Sequence, residues 1–241
     1  MRAHDSGSTF EGTATVSASF ERFIEMDEIL AASHAAIRAT VAIIHPSELN
    51  TRSGGVEVSE DQVDSPDPSV FPTFDVRTRI DLDVIKVLGV RPASPIEVGD
   101  RVTIDAAGGA ITLALPIETA RPWRLYSDVG DIGAPGSFAP PARDTIEVTL
   151  SQRVNLSWNE GEETIAFIAQ NDVVVATWTD GRPELRTSTI VTYDPAGSFI
   201  LEGDVAYPNR TITEIAEMAV EELDAIAAQL STTSKPAAPM D

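Results

Sequence analysis

The sequence predicts a mainly β fold: a single antiparallel β-barrel with a short N-terminal helix and an amphipathic C-terminal helix. Three observations carry this. Residues 74–84 alternate strictly, with Phe74, Val76, Thr78, Ile80, Leu82 and Val84 on one face and Asp75, Arg77, Arg79, Asp81 and Asp83 on the other. A strand with one wholly polar face belongs to an antiparallel sheet wetted on one side. Similar strand patterns recur seven or eight times between turn-rich loops, which favours one barrel over two independent domains. Near the C-terminus the period changes to steps of three and four, the mark of an amphipathic helix.

Taken in order, residues 1–19 are rich in Ser, Thr, Ala and Gly and read as a flexible tether or a loosely attached strand. A short helix is expected over 20–33, where Phe20, Phe23, Ile24, Ile29 and Leu30 supply apolar surface. Ile37, Ala39, Val41 and Ile43 then alternate with polar Arg38 and Thr40, which predicts a strand. Residues 46–72 hold four prolines, the Gly54–Gly55 pair and five acids between Glu57 and Asp67, the pattern of a long exposed loop. After the strand beginning at Phe74 come strands near 101–105 and 110–115, an irregular stretch over 116–144, and further strands at 145–150, 163–169, 172–179, 186–193 and 199–201. Residues 211–230 space Ile212, Ile215, Ala219, Leu223, Ile226 and Leu230 for a helix, with Thr211 and Glu214 as a capping box. The barrel domain thus spans 20–230, and 231–241 reads as a disordered tail.

Composition narrows the function classes. The chain has 241 residues, 17 basic against 38 acidic, for a formal net charge of -21. Such a surface repels phosphate backbones and anionic lipid heads, so nucleic acid is not an expected partner. No apolar run reaches the roughly 18–20 residues of a membrane helix. There is no cysteine, which removes disulfides, thiol nucleophiles and Cys-based zinc sites. The acid excess with only two lysines, Lys86 and Lys235, fits salt adaptation or a high-GC origin.

The candidate chemical groups read mostly as structural. His4, His34 and His45 show neither a second histidine at i+4 nor an H-E-x-x-H pattern. His34 and His45 stand at the two ends of one strand, too far apart for a shared metal. No G-x-S-x-G is present, and the glycine-rich DVGDIGAPG stretch lacks the Lys-Ser/Thr of a phosphate loop. Asp75, Asp81 and Asp83 interleave with Arg77 and Arg79, as cross-strand ion pairs would. The acidic loop 57–67 offers oxygen ligands for calcium but not the EF-hand spacing, and a solvated loop explains it as well. Two Gly–acid turns, Gly99–Asp100 and Gly161–Glu162, are read as barrel corners whose acids keep the turn in water. Trp158 and Trp178 are read as core. Arg121, Trp123, Arg124, Tyr126 and Phe138 cluster in the long irregular stretch. They form either a recognition surface, since aromatic and Arg side chains anchor interfaces, or a plug for the barrel end.

The order of DEILAASHAAIRATV, DVIKVLG, VGDRVTI, WNEGEETIAFI and ELRTSTIVTYDPAGSFI, closed by a helix, resembles a group of bacterial exported or lipid-anchored proteins of unassigned function. The resemblance covers roughly residues 26–230 and rests on pattern and order. It implies an OB-like barrel similar to that of netrin-type and metalloproteinase-inhibitor domains. It also implies an extracytoplasmic or cell-envelope location, with the export signal missing from this sequence; a cytoplasmic protein is the alternative. The inhibitor activity needs an N-terminal cysteine and is not carried over.

The expectation is therefore a non-catalytic binding module whose partner is a protein or a cell-wall component. It has no catalytic or metal-ligating residues and calls for no cofactor. The alternative is a metal-independent hydrolase that uses paired carboxylates on a carbohydrate or peptide.

Overall fold

A computed structural model of the chain describes residues 11–16, 25–51, 56–57, 74–92, 96–116, 145–152, 158–179, 182–192, 197–209 and 215–232. The strands are β1 (Glu11–Val16), β2 (Ala35–Ile44), β3 (Glu48–Leu49), β4 (Val76–Val90), β5 (Arg101–Ala107), β6 (Gly109–Pro116), β7 (Thr145–Gln152), β8 (Glu163–Thr179), β9 (Arg182–Thr192), β10 (Ser198–Glu202), β11 (Val205–Pro208) and β12 (Met218–Ala219). Helix α1 covers Met26–Ala32 and α2 covers Val220–Ala228, followed by a 3-10 turn at Gln229–Thr232. The fold is mainly β, and its strands pair predominantly antiparallel.

Strands expected in one barrel divide between two sheets. A large sheet runs β12-β11-β10-β8-β2-β4-β5-β9, with β3 beside β4 and a further pairing of β8 with β9. A three-stranded sheet runs β1-β7-β6. Strand β8 is long enough to pair with β2 over Glu163–Ile168 and with β9 from Ile168 to Thr179. The chain passes from the large sheet to the small one at Gly108, whose carbonyl accepts the Thr78 hydroxyl at 2.8 Å. Two residues on, the Ala110 N–H donates to Ser47 Oγ at 3.2 Å.

Alternation sorts the large sheet's side chains between two apolar clusters. Ile37, Ala39 and Val41 of β2 join Ile80, Leu82 and Val84 of β4, Val102, Ile104 and Ala106 of β5, Trp158, and Ala166 and Ile168 of β8. The opposite face of β2 and β8 gives Ala36, Ile165 and Phe167 to a second cluster with Phe199, Ala206, Ile29 of α1, and Leu223 and Ala227 of α2. Phe167 and Phe199 meet edge to face with centroids 6.2 Å apart. Burying each of these larger side chains is worth about 1.5–3 kcal/mol. Trp158 is in the core, as its sequence position suggests; the side chain of Trp178 lies outside the described residues.

Several boundaries depart from the sequence reading. Of the expected helix 20–33, the described part is Met26–Ala32; it stops at Ser33, whose hydroxyl donates to the Ile29 carbonyl at 2.6 Å. The buried Arg91 donates to the carbonyls of Ser33, Leu30 and Ala31 and so covers that helix end. The expected helix 211–230 begins only at Val220. Ile215 to Glu217 are not helical, and Met218–Ala219 instead pair with Ala206 and Val205 of β11. Hydrogen-bonding groups on the β11 edge compete for these residues, and the Val220 N–H donates to the Asp204 carbonyl at 3.0 Å. The Thr211 side of the expected capping box lies outside the described residues. Within the expected tether, Glu11–Val16 forms strand β1. Ser231 and Thr232, assigned to the tail, complete the 3-10 turn, and Ser231 Oγ accepts the Val90 N–H at 3.1 Å.

Candidate functional site

The residues proposed from the sequence for recognition, Arg121, Trp123, Arg124, Tyr126 and Phe138, lie outside the described residues, between the paired ends of β6 and β7 at Pro116 and Thr145. Of the acidic loop 57–67 only Glu57 is described. Among the described residues the richest polar constellation is the face of β2, β4 and β5 that points away from the first apolar cluster.

Cross-strand register builds this face. Arg79 of β4 is opposite Asp105 of β5, Asp81 is opposite Thr103, and Asp83 is opposite Arg101. Arg101 Nε donates to Asp83 Oδ1 at 2.7 Å and Arg101 Nη2 to Asp83 Oδ2 at 3.0 Å, a two-point contact in solvent. That contact holds the Asp83 carboxyl below, and the Arg101 guanidinium above, their ordinary ranges. Arg79 Nη2 donates to Glu48 Oε1 at 3.0 Å, whereas its buried Nε has no hydrogen-bond partner among the described residues. Asp105 is almost wholly buried.

Asp81 is the best-held acid of the face. Burial pushes its carboxyl upward, but hydrogen bonds from Thr103 and His45, with the charges of His45 and Arg101, outweigh burial and leave it lowered. Thr103 Oγ1 lies 2.7 Å from Asp81 Oδ1, and His45 Nε2 lies 3.1 Å from Asp81 Oδ2. His45, Asp81 and Thr103 thus tie together β5, β4 and the end of β2. Ser47, two residues beyond His45, is engaged elsewhere: its hydroxyl lies 3.0 Å from Thr78 Oγ1 and accepts the Ala110 N–H. No Ser–His–Asp relay is therefore assembled here. His34, at the other end of β2, is lowered by burial and by the charge of Arg91.

Every Arg and Lys on β2, β4 and β5 is matched to an acid. Arg38 meets Glu163 at 2.6 Å, Arg77 meets Asp75 at 2.9 Å, Arg79 meets Glu48 at 3.0 Å, Lys86 meets Asp224 at 2.7 Å, and Arg101 meets Asp83 at 2.7 Å. The face consequently presents no unmatched positive field to a polyanion. The cross-strand pairing expected for Asp83 is present, but Asp75 pairs along its own chain with Arg77, and Asp81 pairs with a histidine. Among the described residues no group of three His, Cys, Asp or Glu is placed to hold a metal ion, and no helix is long and apolar enough to cross a membrane.

The two Gly–acid turns are nearly superimposable in their bonding. Gly99 has φ 91° and Gly161 has φ 88°, the left-handed region that glycine enters without a Cβ clash. Each acid closes its own turn: Asp100 Oδ2 accepts the Glu97 N–H, and Glu162 Oε2 accepts the Asn159 N–H, both at 2.8 Å. The acids therefore do more than hold the turn in water. Each turn also continues a ladder, the first onto Val84 of β4 and the second onto Val41 of β2. The second sits beside a bulge between Val41 and Ile43, where Glu160 Oε1 accepts the Ile44 N–H at 3.0 Å. That bulge turns Ile43 to the polar face, opposite Asp81 and 38% exposed, and overturns the even alternation read from the sequence.

Sequence reasoning had the acids of this face but missed His45 and Thr103 as their partners. The alternation of β4 announced a polar face. The bulge and the register that deliver His45 and Thr103 to Asp81 left no local signal. Comparison with family models, with curated proteins and with solved structures finds no match.

Proposed function

We propose that the chain is a non-catalytic binding module of the cell envelope, an OB-like barrel whose partner is a protein or a cell-wall component. The pairing scheme supports the barrel: β2 to β4, β4 to β5, β5 to β9, β9 to β8 and β8 back to β2. Four of these steps are antiparallel. The β5–β9 step is parallel and rests on the single pair Asp105–Val191. Five strands in a partly open ring is the scheme of an OB barrel. The envelope location rests on the order of sequence motifs described above.

The observation that carries binding over catalysis is the state of the acids on the polar face. Carboxylate catalysis separates two groups, one raised and protonated, the other ionised. Here Asp81 and Asp83 are both lowered, by neighbours that favour the anion. These are the properties of a structural ladder, and they weigh against Asp81 and Asp83 as the paired carboxylates of the hydrolase alternative. The contact surface is assigned to Arg121, Trp123, Arg124, Tyr126 and Phe138, the residue types that anchor interfaces.

The test is crosslinked capture from the native envelope with the intact chain and with a Trp123→Ala/Arg124→Ala/Tyr126→Ala variant of unchanged circular dichroism. The intact chain is expected to enrich one partner that the variant loses. Equal capture by both, or capture by neither, overturns the assignment.

A further inference from the structure

We propose that the outer edge of β6 is a docking site for an extended, basic peptide segment of a protein partner, which adds to the small sheet as a further strand. Strand β6 ends the order β1-β7-β6. Its backbone groups alternate between β7 and the outer edge. The Ala110 N–H leaves the sheet to reach Ser47 Oγ at 3.2 Å, so Ala110, Thr112, Ala114 and Pro116 direct their backbone groups away from β7. Pro116 agrees with this parity, because a strand tolerates proline where no ladder donor is needed.

Ala110 has its donor engaged and Pro116 has none, which leaves Thr112–Ala114 as the open stretch. The outward N–H and C=O groups of Thr112 and Ala114 have no hydrogen-bond partner among the described residues. Ala110, Thr112 and Ala114 are all exposed. The Thr112 hydroxyl lies 2.9 Å from Thr149 Oγ1 of β7 and so leaves the edge clear. Proteins blunt such edges with a charge or a bulge. Strand β6 reads GAITLALP, without a charged residue, and its register with β7 is unbroken. On the face opposite Thr112 and Ala114, Ile111 and Leu113 are only half-buried.

An extended peptide supplies donors and acceptors to this edge, and its alternate apolar side chains would lie against Ile111 and Leu113. The charge of the partner follows from the formal net charge of -21, which attracts a basic segment and opposes a second copy of the chain. The edge is distinct from the contact residues assigned above, so either assignment can fail without the other.

Amide exchange of the full chain at pH 7 and low ionic strength, with a capped synthetic peptide of alternating Lys and Val, tests the site. At ten times its Kd the peptide is expected to raise protection of the Thr112 and Ala114 amides about ten-fold, while Ile111 and Leu113, bonded to β7, stay unchanged. A Glu–Val peptide of equal length should give no protection. Thr112→Pro removes one outward donor and should weaken Lys–Val binding roughly ten-fold. A Lys–Val peptide N-methylated throughout makes the same comparison on the unaltered chain and should not bind. No protection by the Lys–Val peptide, equal protection by the Glu–Val peptide, or equal binding of the N-methylated peptide overturns the site. So does protection of these two amides in the free chain: a second copy then fills the edge if the protection grows with protein concentration, and the chain itself fills it if not.

Discussion

Strand β8 is buried on both faces over Thr164–Ala169, as is β2 over Ala35–Ile37, whereas β4 and β5 keep one face largely polar. Both halves of the sheet alternate with the same period. In the first half the outward positions are Ala36, Ile165 and Phe167, covered by α1, α2 and β10–β11. In the second they are Arg77, Arg79, Asp83 and Arg101, which find ion-pair partners instead of a covering layer. The difference shows that pairing geometry alone does not make a sheet face into core. A face becomes core when a helix or a further strand is available to remove it from water, and only then does each apolar side chain contribute its full transfer free energy.

The largest effect should come from the covered half. Phe167→Ala removes a fully buried ring from the contact with Phe199 and should cost about 3–5 kcal/mol in urea unfolding at pH 7. A loss below 1 kcal/mol would mean that the second cluster does not hold the sheet.

An intermediate effect is expected at Thr103→Val, which keeps the side-chain shape but removes a donor from Asp81. The loss at pH 7 should be about 1 kcal/mol. Its sign with pH follows from the lowered Asp81 carboxyl. The stabilisation is present above the unfolded pKa, near 4, and is lost as pH falls through the folded value. The gap between wild type and variant should therefore narrow as pH falls below about 4. A gap that widens with acid would show that the hydroxyl acts through something other than the ionised carboxylate.

The smallest effect is expected at Arg101→Ala. Its pair with Asp83 lies in solvent, half exposed on both sides, where screening and side-chain entropy leave little net gain. The thermal midpoint should stay within the scatter of replicate melts. A loss as large as that of Phe167→Ala would erase the distinction between the two halves.

Much of the fold is legible in local pattern. Strand β4 announces itself by eleven alternating residues beginning at Phe74, and the glycines of the two turns mark where β5 and β8 begin. The candidate site is less legible. Asp81 is visible as an acid on a polar face, but its partners His45 and Thr103 stand 36 and 22 residues away in the chain. The bulge before Ile43 that shapes this neighbourhood has no composition of its own.

By itself the sequence determined the mainly β class, the polar and apolar faces of the central strands, the two glycine turns and the formal net charge. These are local properties, set by side-chain period, by backbone freedom at glycine and by charge count. The tertiary structure decided which strands share a sheet, where the last helix begins, and which outward face is covered. Each of those is a competition between distant segments for the same hydrogen bonds or the same apolar surface. Met218 and Ala219 carry a helical spacing, yet they pair with β11, because an unpaired strand edge next to them offers hydrogen bonds that local pattern does not reveal.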